Sequence, residues 1–186
     1  MAVVSDIDID NLVAENRRRY DEIYGKYDPW TGYNCYGFEN REVLEIEDFM
    51  IPKMWVPKEC MKTPIYIGLK QTKSLRGFIE RICRKEYHEN SYYTKQLIMV
   101  LTFEIMKVRF REDPEFALYA TDKIEDKVSG NMIPFKLNYP QRKLLKIFED
   151  LRTSGKAIRV VILKARQWGG STLTQLYIKW IQDFRR

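Results

Sequence analysis

The apolar positions change their period twice along the last third of the chain. After Pro140, the residues Leu144, Leu145, Ile147, Phe148 and Leu151 recur at helical spacing and stop at Ser154-Gly155. A continuous β-branched run of strand length follows, Ile158-Arg159-Val160-Val161-Ile162-Leu163. Gly169-Gly170-Ser171-Thr172 then opens an amphipathic segment, Leu173 to Phe184. The pattern predicts a helix, a strand over 158–163, a glycine-containing loop and a second helix.

Upstream, the periodicity is mostly helical. Leu12, Glu15, Asn16, Arg19, Tyr20, Ile23 and Tyr24 predict a helix over about 11–26, ended by Gly25 and Asp28-Pro29. Ser74 is placed as an N-cap, with Leu75, Phe78, Ile79 and Ile82 as the apolar stripe of a helix reaching His88. Ser91 opens the longest helix, to about Arg111. Leu97, Ile98, Leu101, Phe103, Ile105, Val108 and Phe110 cover more than half its circumference and predict the buried centre of this part. Asp113-Pro114 breaks it, and a short helix to Thr121 follows. Between 43 and 69 the apolar runs are broken by three prolines. Val56, Ile65, Tyr66 and Ile67 favour short strands or extended packing there. The aromatic stretch Trp30 to Phe38 suits either a loop lying across a core or stacking on bases, the first being the commoner use. Ser129-Gly130-Asn131 marks a turn and the expected boundary between a helical region, 1–129, and a second region, 130–186.

Composition narrows the classes. An apolar fraction of 45% and an aromatic fraction of 13% argue for a folded chain. No run is long enough to span a bilayer, and the acidic start lacks the basic n-region of a secretory signal. Cys35, Cys60 and Cys83 form no C-x-x-C pair and read as reduced thiols of a cytosolic protein. A single histidine, His88, excludes histidine-rich metal chemistry, and it reads as a solvated helix-end residue. The net charge of +6 is uneven: residues 136–186 carry +9 and residues 1–135 carry −3. That excess sits where the glycine loop is and suits a polyanion such as ATP or DNA.

Strand, glycine loop and hydroxyl-opened helix are the parts of a phosphate-binding loop, in which consecutive N–H groups and a helix N-terminus hold an anion. The usual signature, G-x-x-x-x-G-K-[ST], needs glycine first and lysine seventh. Here Gly169 and Ser171 fill the sixth and eighth places, but Lys164 stands first and Gly170 seventh. A cation must then come from elsewhere in the loop. Lys164, at the strand end, is the expected replacement and Arg166 the supporting contact. The N–H groups of 167–172 would cradle the phosphates, with Ser171 the first choice for a Mg²⁺ hydroxyl and Thr172 the alternative register. Trp168 is expected to pack on the loop.

Arg166-Gln167-Trp168-Gly169-Gly170-Ser171-Thr172 resembles the deviant Walker A motif of large terminase subunits, the ATP-driven DNA-packaging motors of tailed bacteriophages. That family writes the loop Arg-Gln-x-Gly-Lys-[Ser/Thr], and some members move the lysine to its front. Ile133 to Gln141 is similar to the family's adenine-recognition segment, whose glutamine precedes a helix. The likeness extends over roughly the last 80 residues, and the loop is its most specific part. It implies the start of an α/β P-loop NTPase core of the ASCE type after the helical region, α+β in all. It further implies ATP and Mg²⁺ as cofactors, with Gln141, Lys164, Arg166, Gln167, Gly169, Gly170, Ser171 and Thr172 at the nucleotide and Ser171 at the metal. Double-stranded DNA, a small terminase subunit and a portal protein are the implied partners. The implied place is the cytoplasm of an infected or lysogenic (prophage-bearing) bacterium.

A working ATPase of this class needs a second strand ending in an acid that holds Mg²⁺ and polarises water. The family places that Asp-Glu strand, and then a nuclease domain, well downstream. No apolar run here ends in paired acids in that order. The chain is therefore expected to be an amino-terminal part of the motor, with an incomplete ATPase domain and inactive alone. Its strand 158–163 would expose both edges and invite self-association. The competing reading is a basic, mostly helical module that binds DNA or a protein without nucleotide chemistry.

Overall fold

Residues 9–24, 27–83, 92–126, 129–163 and 168–185 are described in a computed structural model of the chain. Among them are seven α-helices and two antiparallel two-stranded sheets, giving a mixed α+β and mostly helical architecture. The helices are α1 (Ile9–Tyr24), α2 (Pro64–Thr72), α3 (Leu75–Cys83), α4 (Tyr92–Glu112), α5 (Pro114–Thr121), α6 (Tyr139–Thr153) and α7 (Gly170–Phe184). One hairpin pairs β1 (Arg41–Glu45) with β2 (Lys53–Pro57), Val43 facing Trp55. The other pairs β3 (Lys123–Glu125) with β4 (Met132–Pro134), and the 129–131 turn lies between its strands. No helix of the described residues is long and apolar enough to cross a membrane.

The buried residues fall into two cores. Leu44, Ile46, Met54, Val56, Tyr66, Leu69, Leu75, Phe78, Ile79, Ile105 and Phe116 make the first, between the β1–β2 hairpin, α2, α3 and the end of α4. The second gathers Ala117 and Leu118 of α5, Phe135 and Leu137, Leu144, Leu145 and Phe148 of α6, and Leu173, Tyr177 and Trp180 of α7. Phe110 packs against both, and Trp180 Nε1 donates to Phe110 O at 2.8 Å. The end of α4 and α5 thus join the two cores.

Several expectations meet the structure directly. α5, α6 and α7 occupy the segments their spacing predicts, and Ser74 caps α3, its Oγ accepting from Gly77 N at 3.1 Å. The rest of that helix, with His88, and the expected α4 opener Ser91 lie outside the described residues. Ile65-Tyr66-Ile67 is helical rather than extended. Pro64 starts α2 with its fixed φ, and Tyr66 turns inward to donate from its hydroxyl to Ile105 O at 2.9 Å. α4 is not buried along its length. Ile105 and Arg109 are fully covered, but Met99, Val100 and Phe103 face solvent, Phe103 at 65% exposure. The aromatic stretch lies across the protein: Trp30 packs on Phe116, Tyr33 on Trp55, and Tyr36 Oη donates to Asp150 at 2.6 Å.

The strand expected over 158–163 does not form. These residues belong to neither sheet, and among the described residues none of their backbone groups is hydrogen-bonded to another. A β-strand is stabilised by neighbouring strands, and among the described residues none pairs with this segment. Val160 rests on the second core, while Val161 and Leu163 are fully exposed.

Candidate phosphate-binding loop

The loop is built at the start of α7. Gly169 is its N-cap, with φ +80° and ψ 19°, a left-handed conformation that glycine adopts without strain. Its carbonyl accepts the first bond of the helix, from Leu173 N at 3.1 Å. With no side chain at Gly169, nothing on the cap itself reaches the N–H groups of Gly170, Ser171 and Thr172, which have no acceptor within the helix. Such donors, with the positive end of a fifteen-residue helix behind them, favour an anion. The hydroxyls of Ser171 and Thr172 are exposed beside them.

Both glycines are required by shape. A Cβ on Gly170 would lie 2.5 Å from the Trp168 ring, which packs over it, and one on Gly169 would lie 2.5 Å from Gln141 Nε2. Trp168 thus packs on the loop, and among the described residues no acceptor reaches its buried Nε1.

The loop is fastened to the start of α6. Asn138 and Gln141 form a capping box there: Asn138 Oδ1 accepts from Gln141 N at 3.0 Å, and Gln141 Oε1 accepts from Asn138 N at 2.9 Å. Their amide nitrogens reach the loop, Asn138 Nδ2 donating to Trp168 O at 3.1 Å and Gln141 Nε2 to Gly169 O at 3.0 Å. Gln141 is therefore brought to the loop as expected, but buried at 4% exposure with its amide engaged inside the protein. The next residue, Arg142, bonds Glu115 of α5 at 3.1 Å, donates to Asn34 O and stacks over the Tyr27 ring at 4.0 Å. Burial pushes the Tyr27 hydroxyl pKa well up, the neighbouring Glu115 charge adding to it.

Gln141, Gly169, Gly170, Ser171 and Thr172 are thus gathered within one loop and the helix beside it. Lys164, Arg166 and Gln167 lie outside the described residues. Asn138 escaped the sequence reading, although Asn138-Tyr-Pro-Gln141 is the spacing of a capping box. An apolar cavity of about 450 Å³ flanks the loop between α6 and the 160–163 segment, with Trp168 at one end.

The first turn of α7 offers N–H groups with no partner among the described residues, two exposed hydroxyls and no carboxylate, a set that suits a phosphate group. A Mg²⁺ held there would rest on Ser171 and on phosphate oxygens. Among the described residues no group of three or more His, Cys, Asp or Glu side chains is placed to hold a metal ion. No protein-family model, no characterised protein and no solved structure matches the chain.

Proposed function

We propose that this chain is the amino-terminal, nucleotide-loop part of the large subunit of a tailed-phage terminase, the ATP-driven motor of DNA packaging. The observation that carries the reading is the α7 N-terminus. Two sterically required glycines leave three backbone donors and two hydroxyls uncapped, beside the segment that the resemblance assigns to adenine. The second support is the 158–163 run. Its β-branched, mostly apolar sequence is of the kind found in a strand of a parallel sheet covered on both faces. ATP and Mg²⁺ are the proposed cofactors, and Ser171 is the proposed metal hydroxyl. Double-stranded DNA, the small terminase subunit and the portal protein are the proposed partners, in the cytoplasm of the bacterial host.

In this reading the binding cation is Lys164, whose flexible stem replaces the lysine missing at Gly170, and Arg166 supports it. The chain itself binds nucleotide and turns none over, because none of its residues is assigned the water-polarising acid. The test is equilibrium binding of a fluorescent ATP analogue with Mg²⁺, alongside an ATPase assay. Lys164→Ala should abolish binding and Arg166→Ala should weaken it. Loss of binding with Arg166→Ala alone would reverse the two roles. A wild-type chain that binds no nucleotide but retains double-stranded DNA would favour the basic interaction module instead.

A further inference from the structure

Asn138 and Gln141 each hold two things at once. One end of each side chain closes the capping box of α6, and the other end holds a carbonyl of the loop, Trp168 O and Gly169 O. These bonds join residues 30 and 28 positions apart, so neither follows from local helix geometry. A trans peptide is planar, and its C=O and the following N–H point in opposite directions. Drawing the Trp168 carbonyl toward α6 therefore turns the Gly169 N–H away from it. Drawing in the Gly169 carbonyl does the same for the Gly170 N–H. The Gly169 carbonyl also takes the first bond of α7, from Leu173 N, so the two amide side chains reinforce from behind an orientation that the helix begins.

We infer that Asn138 and Gln141 are positioning residues for this loop, a two-point clamp that aims its backbone donors at phosphate. The inference rests on the nucleotide-loop reading and deepens it. It gives Gln141 a task on the loop rather than on the base. Its amide is buried and engaged with Asn138 N and Gly169 O, so Gln141 acts on the loop that meets the polyphosphate and does not read the purine.

The clamp and the cap can be separated by substitution. Asn138→Ser keeps an N-cap oxygen without adding charge but is too short to reach Trp168 O. Gln141→Glu keeps the oxygen that accepts from Asn138 N and places a carboxylate oxygen against Gly169 O. Three measurements are needed on the whole chain: melting temperature, amide hydrogen exchange across 169–173, and affinity for ATP, GTP and tripolyphosphate with Mg²⁺. Asn138→Ser should leave melting within a few degrees while exchange at Leu173, whose N–H is held by Gly169 O, rises roughly tenfold, the scale of one lost hydrogen bond. Affinity for all three polyphosphates should fall by one common factor of about ten. Gln141→Glu should repeat the pattern with a larger loss, because it adds a negative charge; if it fails to fold, Asn138→Ser carries the test.

Unchanged exchange at Leu173 would overturn the clamp whether or not nucleotide binds. Gln141→Glu weakening ATP while sparing GTP and tripolyphosphate would overturn it too, by showing that Gln141 reads the base. Faster exchange in a protein whose wild type binds no polyphosphate would uphold the clamp as a loop-ordering device and sink the nucleotide reading.

Discussion

Two arginines are buried around one carboxylate, and the structure assigns them opposite value. Arg41 of β1 is bonded through all three of its nitrogens: it grips both oxygens of Asp113 at 2.7 and 2.8 Å, donates to Trp55 O at 2.9 Å and to Tyr36 O at 3.0 Å. Arg109 of α4 is equally buried, but its Nε stands 3.7 Å from Asp113, and none of its three nitrogens has a hydrogen-bond partner among the described residues. Its main contact is the Phe116 ring, 3.9 Å away. Burial holds the Arg109 pKa below the usual guanidinium value. Arg41→Met strips Asp113 of its close counter-charge and leaves two carbonyls without donors. Breaking such a pair costs about 3–5 kcal/mol, a large share of a total near 5–15 kcal/mol. At roughly 2–4 °C per kcal/mol for a chain of this size, melting should fall by about 10 °C or more. Arg109→Met forfeits a cation–π contact of about 1–2 kcal/mol, but it also removes a desolvated, unbonded charge and its repulsion with Arg41. The two nearly cancel, and melting should move by less than about 4 °C in either direction. Thermal and urea unfolding by circular dichroism, with the denaturant slope checked for constancy, read both variants. If Arg109→Met costs as much as Arg41→Met, hydrogen-bond satisfaction is not what separates the two arginines, and the reasoning fails.

Asp113 also sets an acid limit. Burial alone would raise its pKa, but the charge and hydrogen bonds of Arg41 and the charge of Arg109 prevail and hold it below the ordinary carboxylate value. Its contribution to stability is therefore complete above about pH 4 and drains away as pH falls through the lower folded value. Wild type should melt at a nearly constant temperature from pH 7 to 5, with a decline below 4 that Asp113→Asn blunts; an equal decline in both would refute the assignment. The 158–163 run should drive weak self-association through its open edges, visible by sedimentation and removed by Val161→Lys with Leu163→Lys. A wild-type chain that stays monomeric at the highest concentrations would count against it.

Helices were legible in the sequence where one stripe faced one core. The stripe Leu144, Leu145, Phe148 of α6 and the Asp113-Pro114 start of α5 are such cases, and both stand where spacing puts them. The failures share a cause. Ile65-Tyr66-Ile67 has strand-forming residues, yet burial of Tyr66 and Leu69 against the first core favours a helix begun by Pro64, because packing outweighs propensity differences below about 1 kcal/mol. The apolar circumference of α4 suggested a central helix, but Leu97, Ile98 and Leu101 pack on the first core from one side only, Phe110 near its end meets both cores, and Met99, Val100 and Phe103 are presented to solvent. The acids that join the two parts, Asp113 and Glu115, were invisible as partners. Their arginines, Arg41 and Arg142, lie 72 and 27 residues away, and nothing in local spacing announces such pairs.

The loop shows which half of the proposed phosphate site the sequence can specify. Gly169, Gly170 and Ser171 are chosen by local constraint: a left-handed cap, a close ring and a helix start, all of which act within four residues. A strand before the loop is different, since its hydrogen bonds belong to pairs, and among the described residues 158–163 has no backbone partner. Among the described residues, the bonds that hold the end of the loop to α6 are those from Asn138 and Gln141 across to Trp168 O and Gly169 O. Pairing of 158–163 with neighbouring strands would add a second anchor on the other side of residues 164–167. The clamp from α6 would then fix the donors of Gly169 and Gly170, while the strand would fix where the lysine at its end begins. On this argument the backbone half of the anion site is set by helix capping alone, and the cationic half depends on β-pairing.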